Sequence, residues 1–178
     1  ANIQRDSIIP EDIKNMKYVG LEHIESTTGD ILNVIEVDNG DLKSNKFLFD
    51  GDCVLYGKLR PYLNKIALPN FDGICSTDIL PIKPIKGKAH KFFIAYLLKN
   101  PYYIRKATEQ STGANLPRLS PKQLGLFEVF VPPISLQNKF ASIVEKIELI
   151  KQKQNQATSE INTLFDALMQ KAFKGELA

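Results

Sequence analysis

Apolar residues recur at alternating steps of three and four through the last quarter of the chain: Leu136, Phe140, Ile143, Ile147, Ile150, Gln154, Ala157, Ile161, Leu164 and Leu168. This a/d heptad series predicts one long helix with an apolar seam, softened only at Gln154 and Ala157. From Ser135 to Lys174 such a helix spans roughly 60 Å at about 1.5 Å per residue. The sequence holds one copy of the pattern, so the helix that covers the seam is expected in another chain or in a region outside this sequence. A second stripe, Val144, Phe165, Met169 and Phe173, offers a further face to the globule or to a partner subunit.

The preceding residues follow a different rhythm. Short apolar runs at 17–24, 31–37, 47–59, 65–68, 79–84 and 127–131, separated by Gly29-Asp30, Asp50-Gly51-Asp52, Pro69-Asn70 and Asp72-Gly73, read as strands and turns. Helical spacing is confined to 91–99 and 101–107, with Asn100 as cap and Pro101 at the first helical position, and to a short helix opened by Ser120-Pro121. Ser135 is expected to cap the long helix after Pro132-Pro133. The pattern predicts an α+β chain: a mostly antiparallel sheet or partial barrel with flanking helices over 1–133, then a coiled-coil helix over 134–178.

The 178 residues suit one domain of ordinary size and an appendage, and no apolar run of 18 residues or secretory pattern is present. A cytoplasmic protein is expected. Cys53 and Cys75 lack CxxC spacing and nearby histidines, which predicts two small buried hydrophobes and no zinc site. The net charge of +3 conceals a division. Residues 1–82 carry 8 Lys/Arg against 13 Asp/Glu, residues 83–122 carry 9 against Glu109 alone, and the remainder carries 6 of each. A basic block of this kind suits a polyanion, although it also fits a solvated face.

Catalytic machinery is hard to find. His23 and His90 have no triad context, neither GxGxxG nor GxxxxGK[ST] occurs, and Asp50 and Asp52 flank a turn glycine where Asp serves its own backbone. Asn100-Pro101-Tyr102-Tyr103 superficially resembles the Asn-Pro-Pro-Tyr element of adenine methyltransferases, but the second proline is missing and a helix cap explains it. Two clusters remain. One is Tyr56-Gly57-Lys58-Leu59-Arg60-Pro61-Tyr62-Leu63-Asn64-Lys65, whose cations, tyrosines and amide suit phosphates and base edges. The other runs from Ser111 to Ser120, where Ser111, Thr112, Gly113, Asn115 and Arg118, followed by Lys122, offer hydroxyls, backbone amides and charge. Among these residues the glycines, prolines, Leu59 and Leu63 are read as scaffold.

These clusters and the helix resemble a specificity subunit of type I restriction-modification systems. The resemblance rests on Tyr18-Val19-Gly20-Leu21-Glu22-His23-Ile24, the run from Gly51 to Lys65, Gly73-Ile74-Cys75-Ser76-Thr77-Asp78 and Ser111-Thr112-Gly113-Ala114. It continues with Pro132-Pro133 followed by Gln137, where Ile134 replaces the family's leucine, and with Leu168 to Leu177. It implies a target recognition domain that reads one half of a split site on double-stranded DNA, joined to a conserved helix whose length sets the spacing of the half-sites. It also implies no catalytic residues and no cofactor of its own. Partner modification subunits would methylate adenine with S-adenosylmethionine, and a restriction subunit would join them.

Full-length members carry two such units, whereas this sequence holds one. Homodimerisation through the seam is therefore expected if the chain is a half-subunit, and it would favour an interrupted palindrome. Gln154 in mid-seam could fix register. Two other readings stand beside this one: a scaffold protein that docks partners through its helix and binds no nucleic acid, and the recognition tail of a fused endonuclease-methyltransferase.

Overall fold

The computed structural model describes residues 1–175. Among them, short strands form two sheets whose layering follows from one strand. In β6 (Val54–Gly57) every residue is buried, so both of its faces must be covered. Val54 and Tyr56 join a core with Ile94, Ala95, Leu98, Ala107, Leu119 and Leu124, whereas Leu55 points the other way, into a core with Val19, Phe49, Cys53, Cys75 and Ile79. The alternation of a pleated strand thus places helices on one face and a second sheet on the other.

The first sheet has the order β1 (Asn2–Ile3), β9 (Ile79–Lys83), β6 and β7 (Ile66–Ala67), antiparallel throughout. The second has the order β2 (Ser7–Ile8), β5 (Lys46–Phe49), β8 (Gly73–Cys75), β3 (Met16–Val19) and β4 (Ile35–Val37). Its single parallel pair is β3 with β8, in register Tyr18 to Ile74. Gly73 permits that approach, since a Cβ there would lie 2.4 Å from the Lys17 carbonyl oxygen. A third small core of Ile13, Val37 and Ile74 lies on the other side of this sheet from Cys75.

The helices begin where their caps dictate. In α1 (Lys91–Leu98) the His90 Nδ1 accepts from the Phe92 amide, and in α2 (Pro101–Glu109) the Asn100 side chain accepts from Tyr102 at 2.9 Å. The start of α3 (Pro121–Gly125) is a reciprocal box between Ser120 and Gln123. His23 likewise serves the backbone, its Nδ1 accepting from the Gly20 amide at 3.1 Å. Cys53 and Cys75 are free and buried. Burial pushes the Cys53 thiol up to about 11 and that of Cys75 upward as well, away from thiolate chemistry.

Several expectations change. The β-rich run 127–131 forms no strand; Phe127 turns inward, while Val129, Phe130 and Val131 are exposed. The long helix α4 (Ile134–Phe173) begins one residue before Ser135, which is therefore no cap: the Pro133 carbonyl accepts from Leu136 and Gln137. Strand β8, short and opened by glycine, escapes the alternation pattern. The run 17–24 ends as a strand at Val19 and continues as a 3-10 turn over Leu21–His23, and 31–37 is paired with β3 only from Ile35.

The chain divides into two compact units, Ala1–Asn138 and the residues from Lys139 onward. The first contains both sheets, α1 to α3 and the first turn of α4. The second is the remaining helix, whose seam residues Ile143, Ile147, Ile150, Ile161, Leu164 and Leu168 are 45% to 66% exposed. Phe165 and Phe173 are exposed too, whereas Val144 is buried. The similarity noted at Glu176 and Leu177 lies outside the described residues.

Candidate nucleic-acid interface

The two polar clusters, separated by some fifty residues, meet through the backbone. The Lys58 carbonyl accepts from the Leu119 amide at 2.9 Å, and the Arg60 amide donates to the Pro117 carbonyl at 2.7 Å. Leu59 lies opposite Arg118 as an antiparallel bridge. Arg118 also exchanges two hydrogen bonds with Thr112, at 2.9 and 3.0 Å, which closes the loop between them into a narrow hairpin. Gly113 sits in that hairpin at φ +107°, where a Cβ would come 2.9 Å from the Leu116 carbonyl oxygen. Leu119, fully buried, anchors the far end in the helix-side core. The loop therefore has a fixed shape.

The first cluster is folded tightly as well. Arg60 and Asn64 both adopt the left-handed conformation, at φ 50° and 49°, and bracket a 3-10 turn over Pro61–Leu63. That turn packs against α2 and leaves Tyr62 half exposed. Two left-handed non-glycine residues within five positions are held there by the packing of the turn.

The sites expected from the sequence separate into two groups. Arg60, Tyr62, Thr112, Gly113, Asn115, Arg118 and Lys122 are exposed, and Lys58 is half-buried beside them. Asn64 is buried and its carbonyl accepts from Thr27, the Lys65 ammonium donates to the Leu21 carbonyl at 2.7 Å, and the Ser111 hydroxyl donates back to Ala107. Lys65 and Ser111 spend their polar groups inside the fold, whereas at Asn64 only the backbone carbonyl is engaged and the buried Oδ1 has no hydrogen-bond partner among the described residues. Asp78 escaped the sequence reading. It follows Ser76 and Thr77 at the start of β9, its carbonyl accepts from the Lys58 amide, and its carboxylate accepts from Arg118 Nε at 3.1 Å. Its presence in the Gly73–Asp78 run was the one available signal.

The basic block proves less uniform than its sequence suggests. Lys83 pairs with the Asp50 carboxylate, Lys91 donates to the Gly51 carbonyl, Lys99 donates to the Thr28 carbonyl, Lys106 lies 5.0 Å from the centre of the Phe127 ring, and Arg118 meets Asp78. Lys86, Lys88, Arg105 and Lys122 have exposed side chains. Half the block stabilises the globule, and the rest is available to a polyanion. Among the described residues no group of His, Cys, Asp and Glu is arranged to hold a metal ion, and no helix is long and apolar enough to cross a membrane.

A profile described as the type I restriction modification DNA specificity domain matches residues 7–163. The type I restriction enzyme EcoDI specificity subunit of Escherichia coli is 31% identical over 172 residues, covering 94% of this chain and 38% of that protein. The HsdS subunit from Thermoanaerobacter tengcongensis superposes with a TM-score of 0.71 at 23% identity, over 96% of this chain and 46% of that one. A structure concerned with assembly and conformational transition of the type I R-M system gives 0.66 at 21% identity, over 97% and 50%. The chain thus spans half or less of the length of these relatives.

Proposed function

Because the chain belongs to the type I restriction modification DNA specificity domain family, we propose that it is a non-catalytic DNA reader that recognises one half of a bipartite duplex site. In this reading it places modification and restriction subunits on that site and needs no cofactor of its own, S-adenosylmethionine being bound by the modification subunits. The observation that carries the reading is the joining of the two polar clusters into one surface by the Lys58–Leu119 and Arg60–Pro117 hydrogen bonds. A rigid, cation-bearing surface with an exposed tyrosine and a glycine hairpin suits phosphate positioning and base-edge contacts together. A scaffold that never touches nucleic acid would leave this surface without a task.

The seam of α4 completes the proposal. Its exposed apolar residues are covered most simply by the same seam on a second copy, and burying each large side chain contributes roughly 1.5–3 kcal/mol. A two-fold pair of this kind would read an interrupted palindrome, with the helices as the spacer. The test is footprinting of the full chain with its modification subunits on a random-sequence duplex library. Protection of a two-part site with a constant gap supports the reading; assembly with those subunits but no protection of DNA at low salt would overturn it.

A further inference from the structure

We propose that Arg118 is the base-reading residue of the surface, selecting a guanine through the outer edge of its guanidinium, and that Asp78 is the positioning residue that aims it. The inference rests on the DNA-reading proposal above and assigns roles within that surface. Arg118 is constrained at both ends. Its backbone amide and carbonyl are both taken by Thr112, and its flank lies against Leu59. At the other end, Nε donates to Asp78 Oδ1 at 3.1 Å, and the side chain remains 47% exposed.

A guanidinium offers two paired-donor edges, one using Nε and one Nη, the other using both Nη atoms. Asp78 occupies Nε and so spends the first. The edge formed by the two Nη atoms remains for the ligand, and its direction is fixed relative to the 57–60 segment because the Asp78 carbonyl also holds the Lys58 amide at 2.9 Å. One residue therefore sets both the strand and the arginine. A phosphate can be approached from many directions, by lysine as a point charge or by arginine as a fork, whereas the O6 and N7 pair of guanine in the major groove demands a fixed direction. Among the described residues no carboxylate pairs with Arg60, which is also exposed and suits backbone positioning.

The experiment is site selection from a random duplex library by the full chain in complex with its modification subunits, followed by affinity measurement on the selected duplex and on single-base variants across a salt series. The wild type is expected to require guanine at one position by roughly five- to 150-fold. Arg118→Ala and Asp78→Ala should both lose that preference at the same position while leaving the other positions unchanged. Asp78→Asn, which keeps an acceptor oxygen for Nε, should restore much of it.

The salt slope with unselected DNA should be the same in all four proteins. If Arg118→Ala instead weakens every duplex equally and lowers the slope by about one, the arginine is a phosphate contact and the assignment is overturned. If Asp78→Ala lowers only the melting temperature and keeps the guanine preference, the positioning role is overturned. A wild-type complex that selects no site would refute the underlying DNA-reading proposal, whereas a selected site without guanine dependence on Arg118 would refute only this one.

Discussion

The buried side-chain amide of Gln137 accepts a hydrogen bond from the His90 backbone amide at 2.9 Å, joining the first turn of α4 to the residue that caps α1. The same side chain donates to the carbonyls of Lys88 and Pro132, at 3.1 and 2.8 Å. One amide thus satisfies a donor and two acceptors of irregular backbone. Gln137→Ala would strand all three, and each unmet buried group costs about 1–3 kcal/mol. Allowing for water reaching some of them, urea unfolding should show a loss of about 3 kcal/mol; an unchanged midpoint would show that the three groups are solvated.

Acid should act on the globule through Asp50. Burial raises its pKa, but the hydrogen bonds from Lys83, Cys53 and the Asp52 amide outweigh this and hold the carboxyl below its ordinary value. A carboxyl depressed in the folded state stabilises the fold above its unfolded value, about 3.9, and that contribution is lost as pH falls through the folded value. The partner mirrors it: the hydrogen bond to Asp50 raises Lys83, whose contribution is present below its unfolded value and lost as pH rises through the folded one. Asp50→Asn should therefore flatten the acid limb of a stability–pH curve below about pH 4. At neutral pH it should cost about 1 kcal/mol through weakened turn hydrogen bonds. Thermal melts from pH 2.5 to 7 on both proteins check this.

On the proposed surface, Lys58 and Arg60 are assigned to phosphates. Lys58→Ala and Arg60→Asn should weaken binding of all duplex sequences alike, each reducing the slope of log K against log salt by about one. Asn suits the left-handed backbone at position 60, which keeps the turn intact. Asn64→Ala should instead reduce stability, because alanine is strained in the left-handed backbone at position 64, φ 49°. Titrations at several salt concentrations, paired with melts, separate the two classes.

How much of this the sequence carried depends on whether the signal was local. The caps at Asn100 and Ser120 were legible because a cap is a contact within three residues. The long helix was legible because its heptad period holds from Leu136 to Leu168. Strand β8 was not, since it is three residues long and its place between β5 and β3 is set by partners more than twenty residues away. The 127–131 run failed in the opposite sense, having the composition of a strand without joining either sheet. At the interface, residue types pointed to Lys58, Arg60 and Arg118, but Asn64 and Lys65 look identical in sequence to residues that reach a ligand. Only the fold shows the first to be buried and the second tied to Leu21.

The seam of α4 yields a prediction about direction as well as association. If two copies pair antiparallel about a point between Asn155 and Gln156, Ile150 meets Ile161, Ile147 meets Leu164 and Ile143 meets Leu168 of the second copy, while Gln154 meets Ala157. Sliding by one heptad in either direction places Gln154 or Ala157 against large apolar residues, so a single antiparallel register is favoured. A parallel pair would match the seam equally well, but it brings Lys146 of one copy to Lys151 of the other at flanking positions on both sides. The antiparallel pair brings Lys153 to Glu160 of the second copy instead. Ile150→Cys and Ile161→Cys chains, each oxidised alone, should therefore give little cross-linked dimer, whereas their equimolar mixture should cross-link efficiently. Background from Cys53 and Cys75 should be low because both are buried. Efficient cross-linking of either variant by itself would establish the parallel arrangement, and a monomeric mass with no cross-link in the mixture would remove the second copy as the partner of the seam.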